Sequence, residues 1–298
     1  MTILRLRGRE FRPGEFAIMA VVNRTPDSFF DRGRTYGFDA ALEAVDAAVA
    51  AGADIVDIGG VKAGPGDEVD PAEEIRRVAD LVAAVRRRHP RLIISVDTWR
   101  AEVGEVVAQA GADLLNDTWG GVDPALAGVA AEHGIGLVCA HAGRVAPRTR
   151  PHRIAYTDVV ADVVRYTVDL AERAAAAGVP RESILIDPAH DFGKNTWHSL
   201  EVSRRLDEMV ATGWPVLVAV SNKDFVGETL GGLPVAERHA GTLATLAVSA
   251  WQGARVFRVH DAASARTALA TVTGLRRRPG RPAPPPDAPG DGRRTNQE

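Results

Sequence analysis

The chain has 298 residues, 45 % of them hydrophobic, and a formal net charge of −3. That is enough apolar material for the core of one large or two ordinary domains, and it leaves no surplus charge to draw nucleic acid or a membrane surface. The single cysteine, Cys139, excludes an intramolecular disulfide framework and, inside an apolar run, reads as a small core residue.

Residues 1–15 form an N-terminal segment without the apolar core of a signal peptide. No run reaches the ~18 apolar residues of a membrane span, so a cytoplasmic protein is expected. The first predicted strand, 16–22, runs into the loop NRTPDSFFD (23–31), far richer in chemistry than a turn requires. A helical stripe follows (Leu42, Val45, Val49), then a strand over 54–58 ending in Gly59-Gly60. Ile75, Val78, Leu81, Val82 and Val85 mark a second helix by their 3.6-residue period. Further strands are predicted over 92–97, 113–116, 136–140, 184–187, 215–220 and 255–259. Most are continuously apolar, as strands covered on both faces are. Eight strand–helix alternations predict a (β/α)8 TIM barrel over 16–274, with a doubly wound open sheet as the alternative. From about Leu275 the chain is rich in Pro, Gly and Arg and nearly free of large apolar residues. The segment 275–298 is therefore read as a disordered tail.

A closed parallel barrel carries its chemistry at the C-terminal strand ends, and here those ends are polar. They read Asn23, Gly59-Gly60, Asp97, Asn116-Asp117, His141, Asp187, Ser221-Asn222-Lys223 and Arg258-Val259-His260-Asp261. Singly, several have structural explanations such as helix capping. Together they mark a functional mouth. Asp97, Asn116 and Asp187 suit a flat heterocycle with a guanidine-like edge, since a carboxylate accepts two parallel N–H bonds. Lys223, Arg258 and His260 suit a phosphate or pyrophosphate. No Walker A loop, GxGxxG, HExxH or paired-cysteine pattern is present. A tightly held zinc is thus not expected, whereas Mg²⁺ arriving with a phosphorylated substrate needs only one or two protein oxygens.

These residues resemble the dihydropteroate synthase family, in NRTPDSFFD (23–31), SVDT (95–98), ND (116–117), DPAHDFGK (187–194), SNK (221–223) and RVHD (258–261), all in the family's order. The resemblance implies a barrel that binds a dihydropterin with a pyrophosphate arm, which p-aminobenzoate displaces, usually in a homodimer. It implies that Asp97, Asn116, Asp187, Lys223 and Ser221 hold substrate. Asn23, Arg258 and His260 would face the pyrophosphate and its Mg²⁺, with Asn23 the metal ligand and Lys223, Arg258 and His260 the catalytic cations. Phe29 and Phe192 would line the aminobenzoate slot.

The second loop departs from the family pattern Gly-Gly-Glu-Ser-Thr-Arg-Pro-Gly, reading GGVKAGPG (59–66), with Ala63 for the Thr and Gly64 for the Arg. Asn222 replaces the Arg of Ser-Arg-Lys, Arg24 replaces a Val, and His190 and Asp191 replace an apolar residue and a Gly. Losing one donor to a leaving group costs about 10²–10³ in rate. Arg24, next to Asn23 on an extended segment, points to the opposite side, and Lys62 lacks a guanidinium's fork. The expectation is a divergent paralogue with a pterin-like pocket and weak or no synthase activity. The alternatives are an active synthase of folate biosynthesis and, from a related barrel, a folate-dependent methyltransferase.

Overall fold

The computed structural model describes residues 3–26, 33–149 and 155–276. It opens with an antiparallel hairpin, β1 (Leu4–Leu6) and β2 (Arg9–Phe11), whose turn residues Arg7 and Gly8 take positive φ of 49° and 71°, the hand that tight hairpins favour. Strands and helices then alternate: β3 (Ala17–Asn23), α1 (Phe38–Ala50), β4 (Ile55–Gly59), α2 (Pro71–Arg88), β5 (Ile93–Asp97), α3 (Ala101–Ala110), β6 (Leu114–Asp117), α4 (Leu126–Glu132), β7 (Gly136–Ala140) and α5 (Val159–Ala176). The second half adds β8 (Ile184–Asp187), α6 (Thr196–Arg204), α7 (Leu206–Ala211), β9 (Leu217–Val218), α8 (Asp224–Thr229), α9 (His239–Gln252), β10 (Val256–Val259) and α10 (Ala262–Arg276).

All eight strands from β3 onward are parallel, in the order β8-β7-β6-β5-β4-β3-β10-β9. A parallel bridge between Ile186 and Val216 joins the two ends of that order and closes the ring. This is the (β/α)8 barrel the alternation predicted. Strand β9 is the shortest, two residues where six were expected. Pro215 has no N–H to give to a ladder, and Val216 O instead takes both Arg255 N and Val256 N, at 2.9 and 3.2 Å.

Strand side chains alternate between faces. The outward residues of β3, β4 and β5 (Ile18, Val56 and Ile94 among them) are apolar and pack with Val78, Leu81 and Val85 of α2. The inward face changes character halfway along each strand. Its N-terminal half is apolar, with Met19, Ile55, Ile93, Leu114, Val138, Leu185, Leu217 and Val256 in one cluster. Its C-terminal half is polar, and that half is the site.

Leu4, Leu6 and Phe11 of the hairpin belong to the same inner cluster. The hairpin therefore closes the floor of the barrel, and the folded unit includes residues that were expected to form a separate N-terminal segment. Short triads such as LRL and REF carry too few residues to announce strands. At the other end α10 extends to Arg276, so Leu275 and Arg276 belong to a helix, and the rest of the expected tail lies outside the described residues.

Because Leu6 is 1 % exposed inside the barrel floor, Leu6→Ala should destabilise the fold by about 2–5 kcal/mol. Chemical denaturation reads this as a lowered midpoint, and an unchanged midpoint would contradict the plug.

Candidate functional site

The polar half of the barrel is organised around Asp57, in the middle of β4 and fully buried. Its carboxylate accepts from Ser95 Oγ at 2.6 Å, from Asn116 Nδ2 at 3.1 Å and from Arg258 Nε at 2.6 Å. The other end of the Arg258 guanidinium reaches Asp97 Oδ2 at 3.3 Å, and Thr118 Oγ1 donates to Asp97 Oδ1 at 2.9 Å. Burial drives the Asp97 pKa up to about 7, against the pull of Arg258 and with a further push from Asp57. Burial also opposes the charge on Arg258, but Asp57, Asp97 and Asp187 together hold its pKa above the ordinary value.

Across the barrel, Asp187 Oδ1 accepts from Ala189 N at 2.7 Å. Burial raises its pKa while Lys223 resists. Lys223 Nζ donates to His190 O at 2.6 Å and lies 4.8 Å from the centre of the Phe192 ring. Burial lowers the Lys223 pKa to about 8, with Asp191 and Asp187 opposing. Phe192 meets Trp119 edge to face at 5.3 Å. Ser221 Oγ lies 3.0 Å from His260 Nδ1 and accepts from His260 N at 3.3 Å. Gly59 leaves room for the Asn23 side chain at the end of β3, since a Cβ there would stand 3.2 Å from Asn23 Oδ1.

One cavity of about 490 Å³ joins these groups. Its lining includes Asn23, Asp97, Asn116, Asp187, Phe192, Ser221, Lys223, Arg258 and His260, nine of the ten residues singled out from sequence. The tenth, Phe29, lies outside the described residues. Arg258, assigned to the pyrophosphate by resemblance, is engaged by the carboxylates of the floor. Asp117, His141, Asn222 and Asp261 do not reach the cavity lining. Asp117 turns to its own loop, accepting from Trp119 N at 3.2 Å and from Gly121 N. His141 is fully buried, with Nε2 2.9 Å from Asp162 Oδ2 and Nδ1 2.8 Å from Lys194 Nζ.

Lys194 was not anticipated. It lines the cavity and also donates to the carbonyls of His141, Phe192 and Ala189 at 2.7, 3.0 and 3.3 Å, so it pins the loop carrying Phe192. Gly193 allows this close crossing, because a Cβ there would meet Ala142 O at 2.3 Å. Asp57 was missed as well, although it stands two residues before Gly59 and alternation places both on the inner face.

The rebuilt second loop is tied down by arginines from elsewhere. Arg148 Nε donates to Lys62 O at 3.1 Å and Gly64 O at 3.3 Å, its Nη1 reaches Asp67 O at 2.6 Å, and Arg77 Nη1 donates to Gly60 O at 2.9 Å. Arg24 points away from the mouth, as alternation predicts. Its guanidinium donates to Tyr36 O and to Arg77 O, the latter at 2.6 Å. Asn222, with φ 56°, lies against α9, its N donating to Thr242 Oγ1 at 3.0 Å. No guanidinium other than that of Arg258 is in the described lining.

Residues 19–260 match the family model described as pterin binding enzyme. The chain is 54 % identical over 274 residues to the inactive dihydropteroate synthase 2 of Mycobacterium leprae, covering 91 % of this chain and 94 % of that one. It is 55 % identical to the protein of the same name from Mycobacterium tuberculosis strain H37Rv, covering 91 % and 86 %. Among solved structures, the Yersinia pestis dihydropteroate synthase in complex with a sulfonamide drug is similar at a TM-score of 0.86 and 35 % identity, over 92 % of this chain and 98 % of that one.

The buried carboxyl beside Arg258 makes a direct test. A carboxyl infrared band or ¹³C resonance from Asp97 should titrate near pH 7, and Arg258→Gln should move the midpoint higher. Its folded pKa lies above the ordinary 3.8. The stability it contributes is therefore complete below about pH 4 and lost as pH rises through about 7. An Asp97 that titrates near its ordinary value would contradict the desolvated pair.

Proposed function

The chain belongs to the dihydropteroate synthase family of pterin-binding enzymes, and from that premise we propose that it binds a pterin-like ligand without condensing dihydropterin pyrophosphate with p-aminobenzoate at an appreciable rate. The observation that carries this reading is the second loop. Ala63 and Gly64 stand where the family has a Thr and an Arg, and the neighbouring Arg148 and Arg77 are engaged with loop carbonyls. The floor keeps Asp97, Asn116, Asp187 and Lys223 around one cavity, so recognition of a flat heterocycle with a guanidine-like edge is supported by acceptors and an amide. Expulsion of pyrophosphate needs preorganised positive charge on the departing oxygens, and Arg258 is held by Asp57 and Asp97.

Among the described residues no group of three or more His, Cys, Asp or Glu is placed to hold a metal ion. Asn23 lines the cavity and offers an amide oxygen. That donor set fits Mg²⁺ carried largely by substrate phosphates, with Asn23 as its protein ligand. Bound there, the ion would neutralise charge on a diphosphate. His260, positioned by Ser221, would hold the same diphosphate through a ring N–H. We also propose a cytoplasmic homodimer. The exposed Val248 and Trp251 of α9 and Leu275 of α10 support the pairing, and among the described residues no helix is long and apolar enough to cross a membrane. The net charge offers nothing for nucleic acid.

Turnover of dihydropterin pyrophosphate should be undetectable, or at least ~10³ slower than in a family member with the complete loop. Restoring Ala63→Thr and Gly64→Arg should recover part of it in a coupled pyrophosphate-release assay. Ordinary turnover by the unmodified protein would reverse the reading in favour of an active synthase.

Binding is tested separately by calorimetry with a pterin. Asp187→Ala removes a buried acceptor, and the loss of about 2–5 kcal/mol should take affinity below detection. Retained affinity would remove Asp187 from the recognition set.

A further inference from the structure

His141 stands just past β7, fully buried and outside the cavity lining, so nothing at the mouth uses it directly. A buried imidazole has two ring nitrogens to satisfy. Nδ1 lies 2.8 Å from Lys194 Nζ, and Nε2 lies 2.9 Å from Oδ2 of Asp162 on the first turn of α5. Burial, with the Lys194 charge adding to it, lowers the His141 pKa to about 4, so the ring is neutral and carries one proton. An ammonium N–H cannot bond to an imidazole N–H. The proton therefore sits on Nε2, where the Asp162 carboxylate accepts it, and the Nδ1 lone pair is left for Lys194.

Lys194 passes this arrangement on to the aromatic wall of the cavity. Its Nζ also donates to the carbonyls of His141, Phe192 and Ala189, and so ties the loop after β7 to the loop after β8. The two loops cross tightly. A Cβ on Gly143 would stand 2.8 Å from Gly193 Cα, and Tyr156 Oη donates to Gly193 O at 2.6 Å. With the ammonium fixed, the Phe192 ring is set edge to face with Trp119 at 5.3 Å and beneath Lys223 Nζ at 4.8 Å. Burial lowers the Lys194 pKa to about 7, opposed first by Asp187 and helped by Lys223. Below that pH all three N–H groups of the ammonium are present to serve these acceptors.

We propose that Asp162 and His141 are positioning residues that fix Lys194, and through it Phe192, beside the side arm of the ligand. Neither touches the ligand. Asp162 selects which His141 nitrogen is bare, and that nitrogen holds the cation that pins the Phe192 loop. Arg165 and Arg144 approach the other Asp162 oxygen and are themselves exposed, and such surface pairs contribute little. The consequence for binding rests on the pterin reading of the cavity, with Phe192 on the arm side. The positioning itself is a property of the protein without ligand.

Asp162→Asn tests this on the full chain at about pH 6, below the Lys194 value. In the unmodified protein the ¹⁵N resonances of His141 should show a protonated Nε2 and a bare Nδ1. Asp162→Asn removes the charge that selects this tautomer and should move the ring ¹³C resonances of Phe192. Asp162→Glu keeps a carboxylate and should leave them in place, as should Arg165→Gln. By calorimetry, Asp162→Asn should bind pteroic acid, whose aminobenzoate arm would meet Phe192, about tenfold more weakly than the unmodified protein does. Its affinity for 6-hydroxymethylpterin should be unchanged, and in a Phe192→Leu background Asp162→Asn should weaken pteroic acid no further. Unmoved Phe192 resonances, a proton on Nδ1, or an equal loss for both ligands in both backgrounds would overturn the positioning role and leave the pterin floor intact. If neither ligand binds the unmodified protein, the floor reading falls, and the Phe192 resonances still decide whether Asp162 positions that ring.

Discussion

A fully buried carboxylate at the centre of a barrel has to be answered by charge and hydrogen bonds, and the structure is arranged around how Asp57 is answered. Removing an ion from water costs several kcal/mol even after relaxation, so a buried pair persists only with good geometry and satisfied lone pairs. Asp57 receives Arg258 from β10, Ser95 from β5 and Asn116 from β6. Four strands are thereby locked at one height in the barrel, directly above the apolar layer sealed by the N-terminal hairpin. Asp97 completes the arrangement through the far end of Arg258. The floor of the cavity is therefore a consequence of one electrostatic requirement, met by residues that also face the ligand space.

This explains why the site was largely legible in the sequence while its keystone was not. Asp97, Asn116, Asp187, Ser221 and Lys223 stand at or just beyond strand ends, where the barrel architecture assigns them to the mouth. Asp57 stands inside an apolar run, where it looks like an interruption, and only strict alternation from Gly59 reveals its direction. The strands over 136–140 and 184–187 coincide with β7 and β8, because their hydrophobic runs have sharp polar borders. The hairpin was illegible because three-residue strands have no periodicity to read. Arg148 was illegible for another reason: its partners are loop carbonyls far away in the chain, and a carbonyl leaves no trace in sequence.

Arg24 shows how far a simple geometric rule reaches. On an extended segment it must point opposite to Asn23, and its bonds to the carbonyls of Tyr36 and Arg77 place it outside the mouth. The glycine-rich second loop shows where such rules stop. Glycine lowers the cost of many backbone shapes, which would suggest freedom. Here two guanidinium groups take up the carbonyls of the loop, and it stands as a fixed wall.

The division between floor and roof separates two kinds of binding energy. Interactions with the heterocycle are the same before and after a side-arm reaction, so they hold a ligand without accelerating chemistry. Acceleration comes from donors that strengthen as charge develops on a leaving group, and those belong to the loops over the arm. In this chain the floor is complete, the loop donors are replaced, and Arg258 and Lys194 are matched to internal carboxylates and carbonyls. A barrel altered in that pattern keeps recognition and loses selective stabilisation of the transition state.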